Sequence, residues 1–201
     1  DSFGRDIYSR VVYGTQVSLI VGIATALVAM AFGITRGLCS GFLRWLDGPL
    51  MRVMDGLMAI PAILIAIALV AMWRGSLLTV VIAIAIPEIP RVTRLVRSLV
   101  LTIREEPYVE AAISLGTPTA WIMWRHILPN SLTPVVTFLP FRMSAAILAL
   151  TSLDFLGLGV PPDTPSLGEL LSQGKNNLDA WWISLSTFVV LVLTLLLLTF
   201  M

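Results

Sequence analysis

Five long apolar runs divide this sequence, and they constrain its fold more than any other feature. They occupy residues 16–34, 57–73, 76–95, 131–153 and 181–201. A bilayer core about 30 Å thick is crossed by about 20 helical residues, because backbone polar groups in lipid must hydrogen-bond within their own segment. The runs therefore predict an all-α integral membrane protein with about five transmembrane helices.

The charge content supports this interpretation. Charged residues make up 12% of the 201 residues, whereas a soluble domain carries roughly 25%. The net charge of +1 argues against nucleic acid as a partner, because phosphate binding requires a concentrated basic surface. Cys39 is the single cysteine and His126 the single histidine, so we expect no disulfide framework, no metal site and no cofactor.

The basic residues predict an orientation, because loops rich in Lys and Arg face the cytoplasm. Two connections form the richer set, which comprises Arg36, Arg44, Arg52, Arg91, Arg94, Arg97, Arg104 and Arg125. The opposite side holds Arg5, Arg10, Arg74 and Lys175. We therefore expect the loop at residues 91–129 to lie inside the cell, and residues 1–13 and 157–180 to lie outside.

The longest inside connection has the pattern of two short helices joined by a turn. Residues 104–130 read REEPYVEAAISLGTPTAWIMWRHILPN. Pro107, preceded by two glutamates, suits the first turn of a helix that we predict over residues 108–115. Gly116 is expected to end this helix. We call residues 104–130 the elbow.

The second half of the elbow is predicted to be helical over residues 120–127. Thr117 and Pro118 would start it by supplying a cap and a fixed φ. It is expected to stop at Leu128 and Pro129, where the next span begins. Small residues in such an elbow would let another protein approach its backbone closely.

A family resemblance rests on this segment. Glu110-Ala111-Ala112, three further residues, Gly116, nine further residues and then His126-x-Leu128-Pro129 resemble the EAA signature of ABC importer permeases. Many members have Ile where this chain has His126. Peptide-type permeases commonly have a histidine there, so the difference narrows the resemblance to that subfamily.

Other segments resemble the dipeptide/oligopeptide branch, and most closely its microcin C and oligopeptide importers. They are the stretch at residues 4–10, the LDFLGLG string at residues 153–159, and residues 165–169 and 173–177. Asp154 replaces a serine of the family string. The family normally has one more span before residues 4–10 and a short charged tail after the last span, so we expect this chain to be cut at both ends.

The resemblance implies a function and a set of partners. The chain would be one transmembrane permease domain, with the type I ABC importer permease fold, in the bacterial inner membrane. Its elbow would dock into an ABC ATPase subunit through Glu110, Ala111, Ala112, Gly116, His126, Leu128 and Pro129. A second homologous permease would complete the pathway for peptides or peptide-like solutes, and membrane lipid would surround both. A periplasmic solute-binding protein would meet residues 157–180.

The chain itself is not expected to be an enzyme. It contains no GxxxxGK[ST] loop for nucleotide phosphates. The single histidine lies at the end of the elbow, where no serine–histidine–carboxylate set is plausible. ATP hydrolysis therefore requires a separate subunit.

Arg142 is the charge that lies deepest in a predicted span. An unpaired charge there would cost several kcal/mol, so the side chain should face a partner or water. Two interpretations stay open: Arg142 lines the translocation path, or it pairs with a carboxylate such as Glu88 or contacts the second permease. Glu88 and Asp154 are weaker candidates for the path.

Two rival functions compete with the importer. A secondary, ion-coupled transporter would use intramembrane acids and often shows inverted repeats. Glu88 alone lies near the end of a run, and no repeat is visible in the sequence. A membrane scaffold without a transport role would leave the elbow unexplained.

Overall fold

The computed structural model describes residues 4, 6–73, 76–161 and 164–200. Arg5 and Arg74, two of the basic residues from which the orientation is predicted, lie outside these ranges. Met201, at the end of the fifth run, also lies outside them. Within the ranges the elements are helices, and no strand occurs. The all-α class predicted from the apolar runs is confirmed.

The helices follow the predicted runs in order. They are α1 (Ile7–Phe42), α2 (Arg44–Ala59), α3 (Ala62–Met72), α4 (Leu77–Ile103), α5 (Pro107–Ser114), α6 (Thr119–Ile122), α7 (Leu128–Thr137), α8 (Leu139–Phe155), α9 (Leu167–Asn176) and α10 (Trp181–Phe200). A π-helical turn, Met123–Ile127, joins α6 to α7, and a 3₁₀ turn, Leu178–Ala180, precedes α10.

Two continuous helices in the described residues are long and apolar enough to cross a membrane, namely α1 and the segment Leu178–Thr199. Two interrupted pairs qualify only if each pair counts as one span: α2 with α3, and Thr119–Thr137 with α8. The third predicted run corresponds to the first part of α4, which has 27 residues but carries four charges, Glu88, Arg91, Arg94 and Arg97.

Local sequence accounts for the start of α1 and for the break between α2 and α3. Asp6 accepts the backbone N–H of Ser9 at 2.9 Å and its hydroxyl at 2.6 Å, as an N-cap residue does. These bonds hold the pKa of Asp6 below its usual value. Between α2 and α3, Ile60 is extended (φ −95°, ψ 132°), because the proline that follows it disfavours the helical conformation.

The chain forms two compact units. The first comprises Asp1–Leu27, Ala62–Ala85 and Pro140–Met201. Among the residues that the structure describes, its hydrophobic core has two clusters. One is built on Val21, Val80 and Leu150, and the other on Ile147 and Leu167.

The outer loop predicted at residues 157–180 contains a helix that is largely buried in the first unit. Leu167 and Leu170 of α9 are fully buried, and Ser166 caps the helix by accepting the N–H of Glu169 at 3.1 Å. Gly168 and Gly174 lie so close to α8 and α10 that a Cβ on either would clash. Among the residues of this loop that the structure describes, the exposed ones are mainly residues 175–179.

Asp154 has a structural environment in the first unit. It is 6% exposed, and its Oδ1 accepts the backbone N–H of Val160 at 2.8 Å. Gly159 and Gly168 pack directly against it, with no room for a Cβ. The carboxylate thus closes the turn that follows α8.

The second unit comprises Val28–Pro61 and Ile86–Leu139. Its core cluster joins α1 and α4 to the elbow, and includes Leu38, Val96, Val109, Ile122 and Ile127. Three glycines of α1 face three valines of α4 at a spacing of four residues, in the pairs Gly33–Val92, Gly37–Val96 and Gly41–Val100. Small residues at this spacing allow membrane helices to pack closely.

Candidate functional site

The first helix of the elbow forms where the sequence predicts it. Pro107 occupies the first turn of α5, after the extended Glu106. The helix ends at a left-handed Gly116 with φ +75°. The N–H of Gly116 donates to the carbonyl of Ile113 at 2.9 Å, and that of Thr117 to the carbonyl of Ala112 at 3.1 Å. This pair of bonds is the Schellman motif, which requires a residue that tolerates positive φ.

The second half of the elbow differs from the prediction in two ways. Pro118, not Thr117, occupies the N-cap position of α6, and no side chain caps the helix. The helix also does not stop at Leu128 and Pro129, because the π-helical turn carries it into α7. Pro129 lacks an N–H for an α-helical bond, and the wider turn before it accommodates the ring.

An apolar face projects from the elbow. Leu115 is 85% exposed, Trp124 71% and Trp121 57%, and Ile113 is also exposed. The opposite side of the same helices is buried, with Ile122 at 1% and Ile127 at 0%. Exposed apolar patches of this kind mark sites of interaction with proteins or membranes. We call Ile113, Leu115, Trp121 and Trp124 the apolar face of the elbow.

A polar contact connects the two halves of the elbow. The side-chain amide of Asn130 donates to the carbonyl of His126 at 2.6 Å and to the hydroxyl of Tyr108 at 3.3 Å. The rings of Tyr108 and His126 lie 6.3 Å apart. His126 is therefore held between α5 and the start of α7, which fixes the bend.

The predicted coupling residues occupy different environments around this bend. Four are exposed, namely Glu110, Ala111, Gly116 and Pro129, whereas Ala112 is buried against the core and His126 and Leu128 are half-buried. The apolar face was missed by the sequence analysis. Its signal was readable, since large apolar residues recur in a loop that was predicted to face water.

The other candidate residues lie apart from the elbow in sequence. Arg142 is half-buried in the first turn of α8, in the first unit. Glu88 is 6% exposed and accepts a hydrogen bond from Arg91, one turn further along α4. Among the residues that the structure describes, no three His, Cys, Asp or Glu side chains are grouped to hold a metal ion.

Known proteins are similar to this chain in sequence. Residues 29–201 match the family described as binding-protein-dependent transport system inner membrane component. The chain belongs to this family.

Curated relatives of this inner membrane component cover most of the chain. A putative peptide transport system permease protein of Brucella suis is 46% identical over 186 residues, which are 92% of this chain and 63% of the relative. A glutathione transport system permease protein of Pectobacterium atrosepticum is 42% identical, over 89% of this chain and 60% of the relative. A dipeptide transport system permease protein of Alkalihalophilus pseudofirmus is 40% identical, over 97% of this chain and 65% of the relative. The chain thus spans less than two thirds of the length of these relatives.

A solved structure shares the fold of this family member. A chain of the inward-facing MetNI methionine ABC transporter superposes with a TM-score of 0.81, over 95% of this chain and 92% of that chain, at 16% sequence identity. The type I ABC importer permease fold expected from the sequence is confirmed.

Proposed function

We propose that this chain is a permease subunit of an ATP-driven ABC importer that forms half of the pathway for peptides or peptide-like solutes. The observation that carries the proposal is the apolar face of the elbow. The relatives described as peptide, dipeptide and glutathione transport permeases support the class of solute.

The elbow has the features that docking to another subunit requires. Its apolar face exposes two tryptophans and a leucine, which are residues that anchor protein interfaces when they fill a pocket. Its other side is continuous with the core of the second unit. A partner bound at this face would therefore push on packed helices and not on a loose loop.

The partner that fits best is an ABC ATPase subunit. In the importer mechanism, ATP draws two ATPase subunits together, each moves a docked elbow, and the attached spans tilt. The chain itself acts as a transport subunit and not as an enzyme. Glu110, Ala111, Ala112, Gly116, His126, Leu128 and Pro129 are proposed to form or shape the docking surface together with the apolar face.

The remaining partners follow from the same architecture. A second homologous permease would complete the pathway, and a periplasmic solute-binding protein would deliver the solute. The exposed residues 175–179 are the part of the outer loop that we propose for that contact. The chain would be a multi-pass protein of the bacterial inner membrane.

Arg142 is proposed to line the translocation path, where its guanidinium would meet the carboxylate of a peptide. Its position in a helix of a bent pair that is together long and apolar enough to cross a membrane supports this role. Within this proposal, the secondary transporter alternative receives no support from the relatives, which are permeases of transport systems.

Docking of the ATPase at the elbow is tested with two leucines of similar exposure. Leu115 of the elbow is 85% exposed and Leu178 before α10 is 81% exposed. Leu115→Ser in the full-length permease should release an ATPase subunit that co-purifies with the wild type. Leu178→Ser should retain it, because this residue is expected on the other side of the membrane. Equal retention by both variants would refute docking at the elbow.

A further inference from the structure

Asp47 joins three helices of the second unit through one side chain. It lies in the first turn of α2 and accepts Nε of Arg97 at 2.5 Å and Nη2 at 2.6 Å. Oδ1 of the same carboxylate also accepts the hydroxyl of Ser40 at 2.6 Å. Ser40 belongs to α1 and Arg97 to α4, so the carboxylate connects both helices to α2.

The α1 and α4 segments of this unit are attached to each other independently of Asp47. The glycine–valine pairs bring their backbones together, and the Arg104 guanidinium donates to the carbonyl of Gly41 at 3.1 Å. Val96 and Val100 of α4 also belong to the core cluster that contains Val109 and Ile127 of the elbow. The elbow and these two segments therefore share one packed core.

By contrast, α2 has few buried contacts. Of its 16 residues, Met54 is the one that is buried. A helix with so little buried apolar surface depends on polar contacts to hold its position. Two ion pairs provide them, Asp47–Arg97 and Asp55–Arg94.

The two ion pairs are not equivalent. The side chains of Asp55 and Arg94 are 57% and 51% exposed, whereas those of Asp47 and Arg97 are 27% and 29% exposed. Exposed pairs contribute little because water and salt screen them. The bidentate pair between Arg97 and Asp47 has the stronger geometry, and water and salt screen it less because it is less exposed. Asp47–Arg97 is thus the main polar attachment of α2.

We propose that Asp47 and Arg97 are positioning residues that make α2 move together with the elbow during the transport cycle, an inference that rests on the proposed function. Force on the elbow passes along α4 to Arg97 and from there to Asp47. The chain then continues from α2 through Ile60 and Pro61 into the apolar α3. The ion pair would therefore transmit motion of the elbow to the apolar helix α3.

The experiment measures the distance between α2 and the elbow. Spin labels are placed at Arg52→Cys and Glu105→Cys, which are exposed positions, in a Cys39→Ser background. The full-length permease is studied in its complex with the ATPase, without nucleotide and trapped with ATP. In the wild-type background we expect the same label distance in both states.

Three variants examine the ion pair. In Asp47→Ala, ATP should shift the label distance by about 2 Å or more, the scale of helix shifts in allosteric proteins. The double exchange Asp47→Arg with Arg97→Asp should restore an unchanged distance. Asp55→Ala removes the exposed pair between the same two helices and should behave as wild type.

The outcomes separate this inference from the function on which it rests. A wild-type distance that changes with ATP, or an Asp47→Ala distance that does not, overturns the positioning role alone. A wild-type permease that binds no ATPase overturns the proposed function and this inference together.

Discussion

Gly37→Ala should destabilise the protein, although alanine is the better helix former. Gly37 lies inside α1, opposite Val96 of α4. A Cβ placed on Gly37 would lie 2.5 Å from Cβ of Val96 and 2.9 Å from the carbonyl oxygen of Thr93. Neither atom can rotate away, because one is the first side-chain atom and the other is backbone. The two helices would have to separate.

The size of the effect follows from two opposing contributions. Overpacking a well-packed contact costs about 1–3 kcal/mol. Replacing a glycine inside a helix by alanine stabilises by up to about 1 kcal/mol. The separation would also loosen the neighbouring pairs Gly33–Val92 and Gly41–Val100, so we place the overpacking cost near the upper end. The net loss in unfolding free energy should be about 2 kcal/mol.

The matched control is Gly56→Ala in α2. Gly56 also lies inside a helix, but a Cβ there would meet no atom within 4 Å. Helix propensity alone should therefore act, and the variant should be as stable as the wild type or more stable by up to about 1 kcal/mol.

Both variants are compared by thermal unfolding of the full-length permease in detergent micelles. Gly37→Ala should lower the Tm and Gly56→Ala should leave it unchanged or raise it. A Gly37→Ala protein as stable as wild type, or equal losses in the two variants, would refute the close-packing argument.

Three further predictions concern the proposed sites. Gly116→Val should leave membrane insertion intact but release the ATPase, because a left-handed φ costs a non-glycine residue about 1–2 kcal/mol. The measurement is co-purification of the ATPase from membranes with equal permease content, and full retention of the ATPase would contradict the prediction. Arg142→Ala should alter peptide uptake while the complex still assembles, and unchanged uptake of every peptide tried would remove Arg142 from the path. Glu169→Gln should lower the unfolding free energy by about 2 kcal/mol, because Glu169 pairs at 2.6 Å with Arg10, whose side chain is 8% exposed. An unchanged Tm would contradict this prediction.

Local signals in the sequence predicted the first half of the elbow correctly. Pro107 and Gly116 act through their own backbone conformations, so their effects do not depend on the rest of the fold. The second half depends on packing. The π-helical turn carries Ile127 into the core, and no local rule indicated that the helix would continue past Pro129.

The apolar helices were predicted in order, but not in their limits. The third run was predicted to end near residue 95, where charges accumulate, yet α4 continues to Ile103. The reason is that Glu88, Arg94 and Arg97 have ion-pair partners, which removes much of the cost of their charges. Asp47 and Arg97 are 50 residues apart, so their pairing could not be read from spacing.

Residues 157–180, predicted to form an outer loop, contain a signal that was present and not used. Ser166 followed by Glu169 has the spacing of a capping box, which predicts the start of a helix. The structure has α9 at that position. Its burial could not be predicted from the sequence, because it depends on close contacts of Gly168 and Gly174 with α8 and α10.

The most direct measurement places a photo-crosslinking amino acid at Trp124 in the full-length permease in native membranes. Trp124 is 71% exposed on the apolar face of the elbow. Irradiation should join the permease to a subunit that carries a nucleotide-binding P-loop, identified by mass spectrometry of the adduct. An adduct with lipid alone, or a Trp124→Cys variant that reacts only with reagents added from the periplasmic side, would contradict the proposed coupling.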